Sequence, residues 1–384
     1  MKQETLRRAL TRYEHAPHLV FWETTKACSL ACGHCRASAQ LDPLTGELST
    51  DEGRDLLNQI AAMDGPKAII VFTGGDCFER ADLFELIAHA TSLGLRVGVA
   101  PSVTPKLTRT SLERLYELGV RSLSISLDGA GPDSHDTLRG IPGHFDKTVA
   151  ALNMMSDMGF RLQVNTTVMK SNVRELADVL ALLRRTGVSI WEVFFLVSVG
   201  RGKDIQEVSA SEAEDVCHFL VDVAAREMTV RTVEAPFFRR VQAQRAAFPG
   251  EEARDHFAVG ELYEHLRSGL GDDAKISRVM RSSTLATGDG RGVIFVGYDG
   301  EVHGSGFLPI ALGNVREQSL GEIYTTNPLL MSIRSGNLEG ECGRCEFVRL
   351  CGGSRARAFA QTGRVLGDDP ACIMTRTRLP VTSA

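Results

Sequence analysis

The stretch Leu19-Val20-Phe21-Trp22-Glu23-Thr24-Thr25-Lys26-Ala27-Cys28-Ser29-Leu30-Ala31-Cys32-Gly33-His34-Cys35 sets the terms for the rest of the chain. Its short apolar opening reads as a strand, and the CxxxCxxC run just beyond reads as the loop at that strand's end. Three thiolates this close in sequence can close around one metal centre. An iron–sulfur cluster with one iron left open suits such a set best. A zinc knuckle is the competing reading, but structural zinc takes four protein ligands, and no fourth Cys or His partner is evident nearby.

Outward from this run, strand-like segments alternate with helical patterns. Helix 50–63 leads to strand Ala68-Ile69-Ile70-Val71-Phe72, helix 83–93 to strand Arg96-Val97-Gly98-Val99-Ala100, and helix 108–118 to strand Ser122-Leu123-Ser124-Ile125-Ser126-Leu127. Helix 144–158, strand 161–168, helix 173–186 and strand 189–196 follow, making six strands with the one at 19–23. Short apolar strands separated by amphipathic helices indicate an α/β fold with a parallel sheet covered by helices, either doubly wound or an incomplete barrel. In both, ligands gather where the strands end.

Residues 236–291 are less regular and read as a linker with a helix at 259–268. A hairpin signal follows, with Val293-Ile294-Phe295-Val296 and Glu301-Val302-His303 flanking Tyr298-Asp299-Gly300, and then a helix over 320–335. The expected division is an N-terminal helical segment (1–18), a core domain (19–235), the linker (236–291) and a C-terminal domain (292–384).

Of the 384 residues, 43% are hydrophobic and 24% charged, and no apolar run approaches the roughly 20 residues a membrane helix needs. The charged N-terminus carries neither an apolar h-region nor a cleavage site, so no signal peptide or membrane span is expected and the cytoplasm is the expected compartment. Nine cysteines, seven of them in two tight clusters, argue in a reducing compartment for metal ligation over disulfides. A net charge of −5 gives no reason to expect a nucleic-acid partner.

The unusual residues fall at the expected strand ends: Gly74-Gly75-Asp76, Ser126-Leu127-Asp128-Gly129, Asn165 and Thr167, and Val199-Gly200-Arg201. Two glycines let the backbone approach a ligand, and a following carboxylate can accept from an ammonium group. CxxxCxxC after the first strand with Gly-Gly-acid after the second resembles the radical S-adenosylmethionine (SAM) enzymes, whose fold is an incomplete (β/α)6 barrel. The resemblance implies that Cys28, Cys32 and Cys35 hold a 4Fe-4S cluster whose open iron binds SAM, which one electron cleaves to a 5'-deoxyadenosyl radical. It further implies SAM contacts from Gly74, Gly75, Asp76, Ser126, Asp128, Asn165, Thr167, Gly200 and Arg201. Two departures stand out: His34 replaces the family's usual aromatic residue, and Asp76 is one methylene shorter than the usual glutamate. Arg139 reads either as a partner for a carboxylate or as a solvated side chain, and Cys77 and Cys217 read as packing.

Cys342-Gly343-Arg344-Cys345, Cys351-Gly352-Gly353 and Cys372 supply four more thiolates, a set that closes around zinc or a fully ligated 4Fe-4S cluster. This region resembles the SPASM or twitch extension of the same family, in a reduced form: Arg355 stands where the fuller motif has a further cysteine, and His303 to Pro309 lacks the upstream ones. One auxiliary 4Fe-4S cluster is therefore expected. Ser305-Gly306-Phe307-Leu308-Pro309, Leu312-Gly313-Asn314-Val315 and Cys351 to Ala358 look like the haem-pathway subgroup, which acts on tetrapyrrole propionates. The expected activity is that of a radical SAM oxidoreductase or lyase on a carboxylate-bearing small molecule, fed by a flavodoxin- or ferredoxin-type reductant. A peptide maturase and a non-catalytic iron–sulfur electron carrier are the alternatives.

Overall fold

Val20 and Trp22 are wholly buried on one face of the first strand, while Leu19 and Phe21 on the other are half-buried. This alternation recurs across the computed structural model, which describes residues 13–226, 228–248, 251, 253–271 and 287–376. Residues 1–12 of the expected N-terminal helix and 282–286 of the serine-rich stretch lie outside the described residues.

Strands β1 (Leu19–Glu23), β2 (Ile69–Thr73), β3 (Arg96–Val99), β4 (Ser122–Ser126), β5 (Arg161–Val168) and β6 (Ile190–Phe195) are the six expected ones. They pair in sequence order, all parallel. Two more strands extend the parallel array. β7 (Thr229–Val233) adds beyond β6, and β9 (Gly292–Val296) adds beside β1 with Leu19 opposite Val293. The short β8 (Gly288–Asp289) runs parallel to β9, and β10 (Glu301–His303) and β11 (Gly313–Asn314) close the edge antiparallel. The expected hairpin is present, and its first strand is also part of the main sheet.

One face of the sheet is dry. Val20, Trp22, Ile70, Phe72, Leu123, Ile125, Val164, Trp191 and Val193 form one core with Leu56, Ile60, Leu86, Leu112, Leu152 and Leu180 of the covering helices. Burial of each such side chain contributes roughly 1.5–3 kcal/mol. Helix Thr50–Ala62 comes so close that a Cβ on Gly53 would lie 2.7 Å from the Trp22 ring. The opposite face carries Ser124, Ser126, Gln163, Asn165, Thr167, Glu192, Phe194 and Arg231, all half-buried. A sheet with one apolar and one polar half-buried face is built to hold something on the second.

Three elements differ from expectation. The segment 236–291 carries helices Phe237–Arg245, Ala253–His256 and Glu261–Ser268, which reach the main core through Val241, Ala253, Tyr263 and Leu266. The expected helix over 320–335 is two, Leu320–Thr326 and Pro328–Ser335. Pro328 cannot continue the first, and Asn327 caps the second by accepting from the Leu329 and Leu330 N–H groups at 3.0 and 3.3 Å. Helix Ala210–Arg226, which was not among the expected elements, is buried nearly all round.

Candidate active site and metal centres

Beyond β1 the chain runs against the end of β2. Gly75 N–H donates to Thr25 O at 2.8 Å and Asp76 N–H to Ala27 O at 2.7 Å. A Cβ at Gly74 or Gly75 would stand 2.3 Å from Thr25 O or Ala27 O respectively, so the glycines admit the strand that delivers Cys28. Cys28 N–H donates to Gln40 O (2.7 Å) and Gln40 N–H to Lys26 O (3.0 Å), closing the cysteine loop at its base.

Inside that loop Cys28, Leu30, Cys32 and Ala39 form a small buried apolar cluster, with Cys35 packed against it. Each sulfur faces an N–H donor. Leu30 N–H approaches Cys28 Sγ at 3.4 Å, Ala39 N–H approaches Cys35 Sγ at 3.5 Å, and the Arg139 guanidinium approaches Cys32 Sγ at 3.6 Å. Burial raises the Cys28 thiol above its ordinary value.

Gly200 and Arg201 brace the loop from β6. A Cβ on Gly200 (φ +57°) would meet Arg36 O at 2.3 Å, and Arg201 Nε and Nη1 donate to Cys32 O (2.9 Å) and Ala39 O (3.1 Å). Among the described residues the buried Arg201 Nη2 and His34 Nδ1 have no hydrogen-bond partner, which leaves two donor-capable groups free beside the cysteines.

Asp128 is buried at the end of β4 and forms an ion pair with Arg139. It also accepts from Thr167 N–H at 2.7 Å, and His34 Nε2 lies 3.4 Å away. Burial alone would raise this carboxyl, but Arg139, then His34 and His135, hold it at about 2. Asp76 is equally occupied: Oδ1 accepts from Phe78 and Ser102 N–H groups (3.2 and 3.3 Å) and Oδ2 from the Thr104 hydroxyl (2.7 Å). Burial raises its pKa. Ser126 and Thr167 keep their hydroxyls unbonded among the described residues, on the polar face of the sheet.

Ser126, Asn165, Glu192 and Arg231 stand in register across β4 to β7. Gln163 ties this row together, its Nε2 donating to Asn165 Oδ1 (2.9 Å) and Glu192 Oε2 (2.8 Å) while its Oε1 accepts from Arg231 (3.2 Å). Burial raises Glu192, with Arg231 opposing. The sequence reading missed Glu192 and Arg231, although a glutamate inside Ile-Trp-Glu-Val-Phe-Phe was a usable signal. It also missed Arg36, which pairs with Glu23 (2.8 Å), donates to Gly306 O (3.0 Å) and stacks over the Phe295 ring, tying the cysteine loop to the C-terminal region.

Cys342, Cys345, Cys351 and Cys372 all line one cavity of about 210 Å³. Backbone N–H groups of Asp369, Phe347 and Gly353 approach Cys342, Cys345 and Cys351 sulfurs, each at 3.4 Å. Burial pushes Cys342 up to about 11 and Cys351 up to about 12, so metal binding here releases protons. Cys77 and Cys217 are wholly buried neutral thiols. Among the described residues no three His, Cys, Asp or Glu side chains stand close enough to share a single metal ion. What fits is the donor chemistry: sets of three and of four thiols, met by N–H donors and partly enclosed, suit iron–sulfur clusters.

A family profile described as "Radical SAM superfamily" matches residues 22–183. The chain is 35% identical over 362 residues to the "AdoMet-dependent heme synthase" of Methanosarcina barkeri, covering 94% of this chain and 97% of that one. It is 29% identical to the same organism's "Fe-coproporphyrin III synthase", over 94% of this chain and 89% of that one. Streptococcus suis SuiB bound to S-adenosylmethionine has the same fold, with a TM-score of 0.67 at 14% identity over 96% of this chain and 81% of that chain. The chain belongs to the radical SAM superfamily, and within it to the haem-pathway group. It is an enzyme whose cofactors are a 4Fe-4S cluster and SAM. Among the described residues no helix is long and apolar enough to cross a membrane.

Proposed function

We propose that this enzyme oxidatively removes carbon dioxide from propionate side chains of an iron porphyrin. The observation that carries this is the 35% identity to an AdoMet-dependent heme synthase over nearly the full length of both chains. Each propionate converted to a vinyl group loses one hydrogen atom, one electron and CO₂. When bound, the first cluster and SAM supply the hydrogen-abstracting radical.

In this reading Cys28, Cys32 and Cys35 ligate the first cluster, and Cys342, Cys345, Cys351 and Cys372 an auxiliary 4Fe-4S cluster. Ser126, Asn165 and Thr167 face SAM from the strand ends, with the backbone of Gly74, Gly75 and Asp76 alongside. Asp128, Gly200 and Arg201 hold the cysteine loop in shape, and the buried Arg139 guanidinium stays charged beside Cys32 because Asp128 pairs it. The small apolar cluster of Cys28, Leu30, Cys32 and Ala39 shields the cysteines from water. A flavodoxin- or ferredoxin-type protein supplies the electron.

The test is anaerobic incubation of the reconstituted enzyme with SAM, dithionite and either iron coproporphyrin III or a peptide encoded beside the enzyme. The expected result is 5'-deoxyadenosine together with stepwise loss of CO₂ from the porphyrin. An unchanged porphyrin alongside SAM cleavage and a crosslinked or dehydrogenated peptide would move the assignment to peptide maturation.

A further inference from the structure

Arg355 is wholly buried and lies against Cys342. Its Nε donates to Gly353 O (3.3 Å), its Nη1 to Val365 O (3.0 Å) and Gly367 O (2.6 Å), and its Nη2 stands 3.9 Å from Cys342 Sγ. Three carbonyls thus fix the plane of the guanidinium and leave one edge for the sulfur. Gly353 (φ +64°) makes room for it. A Cβ there would lie 2.5 Å from Arg355 Nη2 and 3.3 Å from Cys342 Sγ.

Arg239, like Arg355, donates to backbone carbonyls, those of Leu350 (3.1 Å) and Thr287, but its charge acts on Cys351; Arg240 and Arg357 are matched by carboxylates. Arg240 lines the cysteine cavity, but Glu214 takes two of its N–H groups, one at 2.8 Å, so its charge is matched. Arg357 pairs with Glu207 (3.2 Å) and Asp369 (3.5 Å). Arg355 forms no ion pair among the described residues; the Asp289 carboxyl, which feels its charge, accepts from its backbone N–H at 3.0 Å and not from the guanidinium. Its positive charge therefore acts on the sulfur in a low-dielectric setting.

We propose that Arg355 is a positioning residue that raises the reduction potential of the cluster bound at Cys342. This rests on the reading that the four C-terminal cysteines hold such a cluster. Reduction adds one negative charge to the centre, and a fixed cation with an N–H donor at a ligating sulfur stabilises the reduced form over the oxidised one. A higher potential favours uptake of the electron that propionate oxidation releases.

The experiment uses the full chain carrying Cys28→Ala, Cys32→Ala and Cys35→Ala, so that only the auxiliary centre is titrated. Reconstituted anaerobically, this parent is expected to bind about four irons and to show one EPR-active reduced centre. Adding Arg355→Gln is expected to leave the iron in place and shift the reduction equilibrium at least tenfold toward the oxidised form, about 59 mV for a one-electron couple. Arg355→Lys, which keeps the charge, is expected to shift it less. An unmoved midpoint in an iron-replete Arg355→Gln protein overturns the proposal. Should that variant lose its iron, the parent labelled with ¹⁵N-arginine decides: a ¹⁵N coupling on the auxiliary EPR signal supports the contact, and its absence overturns it. A parent that binds no iron instead overturns the auxiliary-cluster reading itself, an outcome visible before any Arg355 variant is made.

Discussion

At the residue scale, the buried polar groups around the cysteine loop are fixed by one another. Asp128 N–H can only donate, so His135 Nδ1 accepts from it at 3.1 Å and the proton of His135 sits on Nε2, facing His144 Nδ1 at 2.9 Å. His144 Nε2 then donates to Val103 O at 3.1 Å, and both rings are neutral. Burial, reinforced by Arg139, lowers His135 to about 4. An unfolded histidine titrates near 6.5, so between these values the unfolded chain takes up a proton that the folded one refuses. The stability His135 contributes is therefore fully present above about pH 6.5 and is lost as pH falls toward 4. Urea unfolding should show wild type losing up to about 3 kcal/mol more than His135→Gln over this window; identical pH dependence would mean the ring is not held neutral. None of this pairing was legible in sequence, because Asp128, Arg139 and His144 meet only when a helix folds back on a strand end. Arg139 alone reads equally well as a solvated side chain.

At the scale of elements, the strands were legible because their apolar, β-branched runs are short and bounded by turn residues, and all six expected strands fall within two residues of their observed bounds. Helix Ala210–Arg226 carries an apolar stripe at Ala213, Val216, Cys217, Leu220 and Ala224, but no periodicity signals that its other faces are buried too, with Glu214, Asp215, His218 and Asp222 inside the protein. Their partners come from elsewhere: Arg240 for Glu214, Gly260 N–H for Asp215, and Arg245 with the Tyr263 hydroxyl for Asp222. The Gly74-Gly75 pair shows the same division. Its glycines signalled close approach, and what approaches is the strand leading to Cys28. Gly74→Ala is expected to displace that strand, because a Cβ would sit 2.3 Å from Thr25 O at a φ of +140°. Iron content after reconstitution should fall from about eight per chain to about four, with the auxiliary centre retained. A variant that keeps all its iron would show the approach to be dispensable.

At the scale of the whole molecule, β9 joins the two cysteine regions by pairing with β1, the strand that presents the first of them. Arg36 next to Cys35 bonds to Gly306 of the C-terminal region, and Ser305 beside it donates to Glu234 at the end of β7. A chain ending at residue 291 leaves the β1 edge bare along its length. Sedimentation of that fragment is expected to show association or aggregation, whereas a monomer with native near-UV circular dichroism would mean that β9 is an accessory. The sequence by itself determined the thiol sets, their spacing and the parallel α/β order, since metal ligation and strand periodicity are local properties. Only the tertiary structure decided which polar residues are bonded into the protein as braces and which stand on the half-buried polar face of the sheet, and that Arg355 stands against Cys342. Those facts depend on contacts between segments far apart in the chain, which no local pattern encodes.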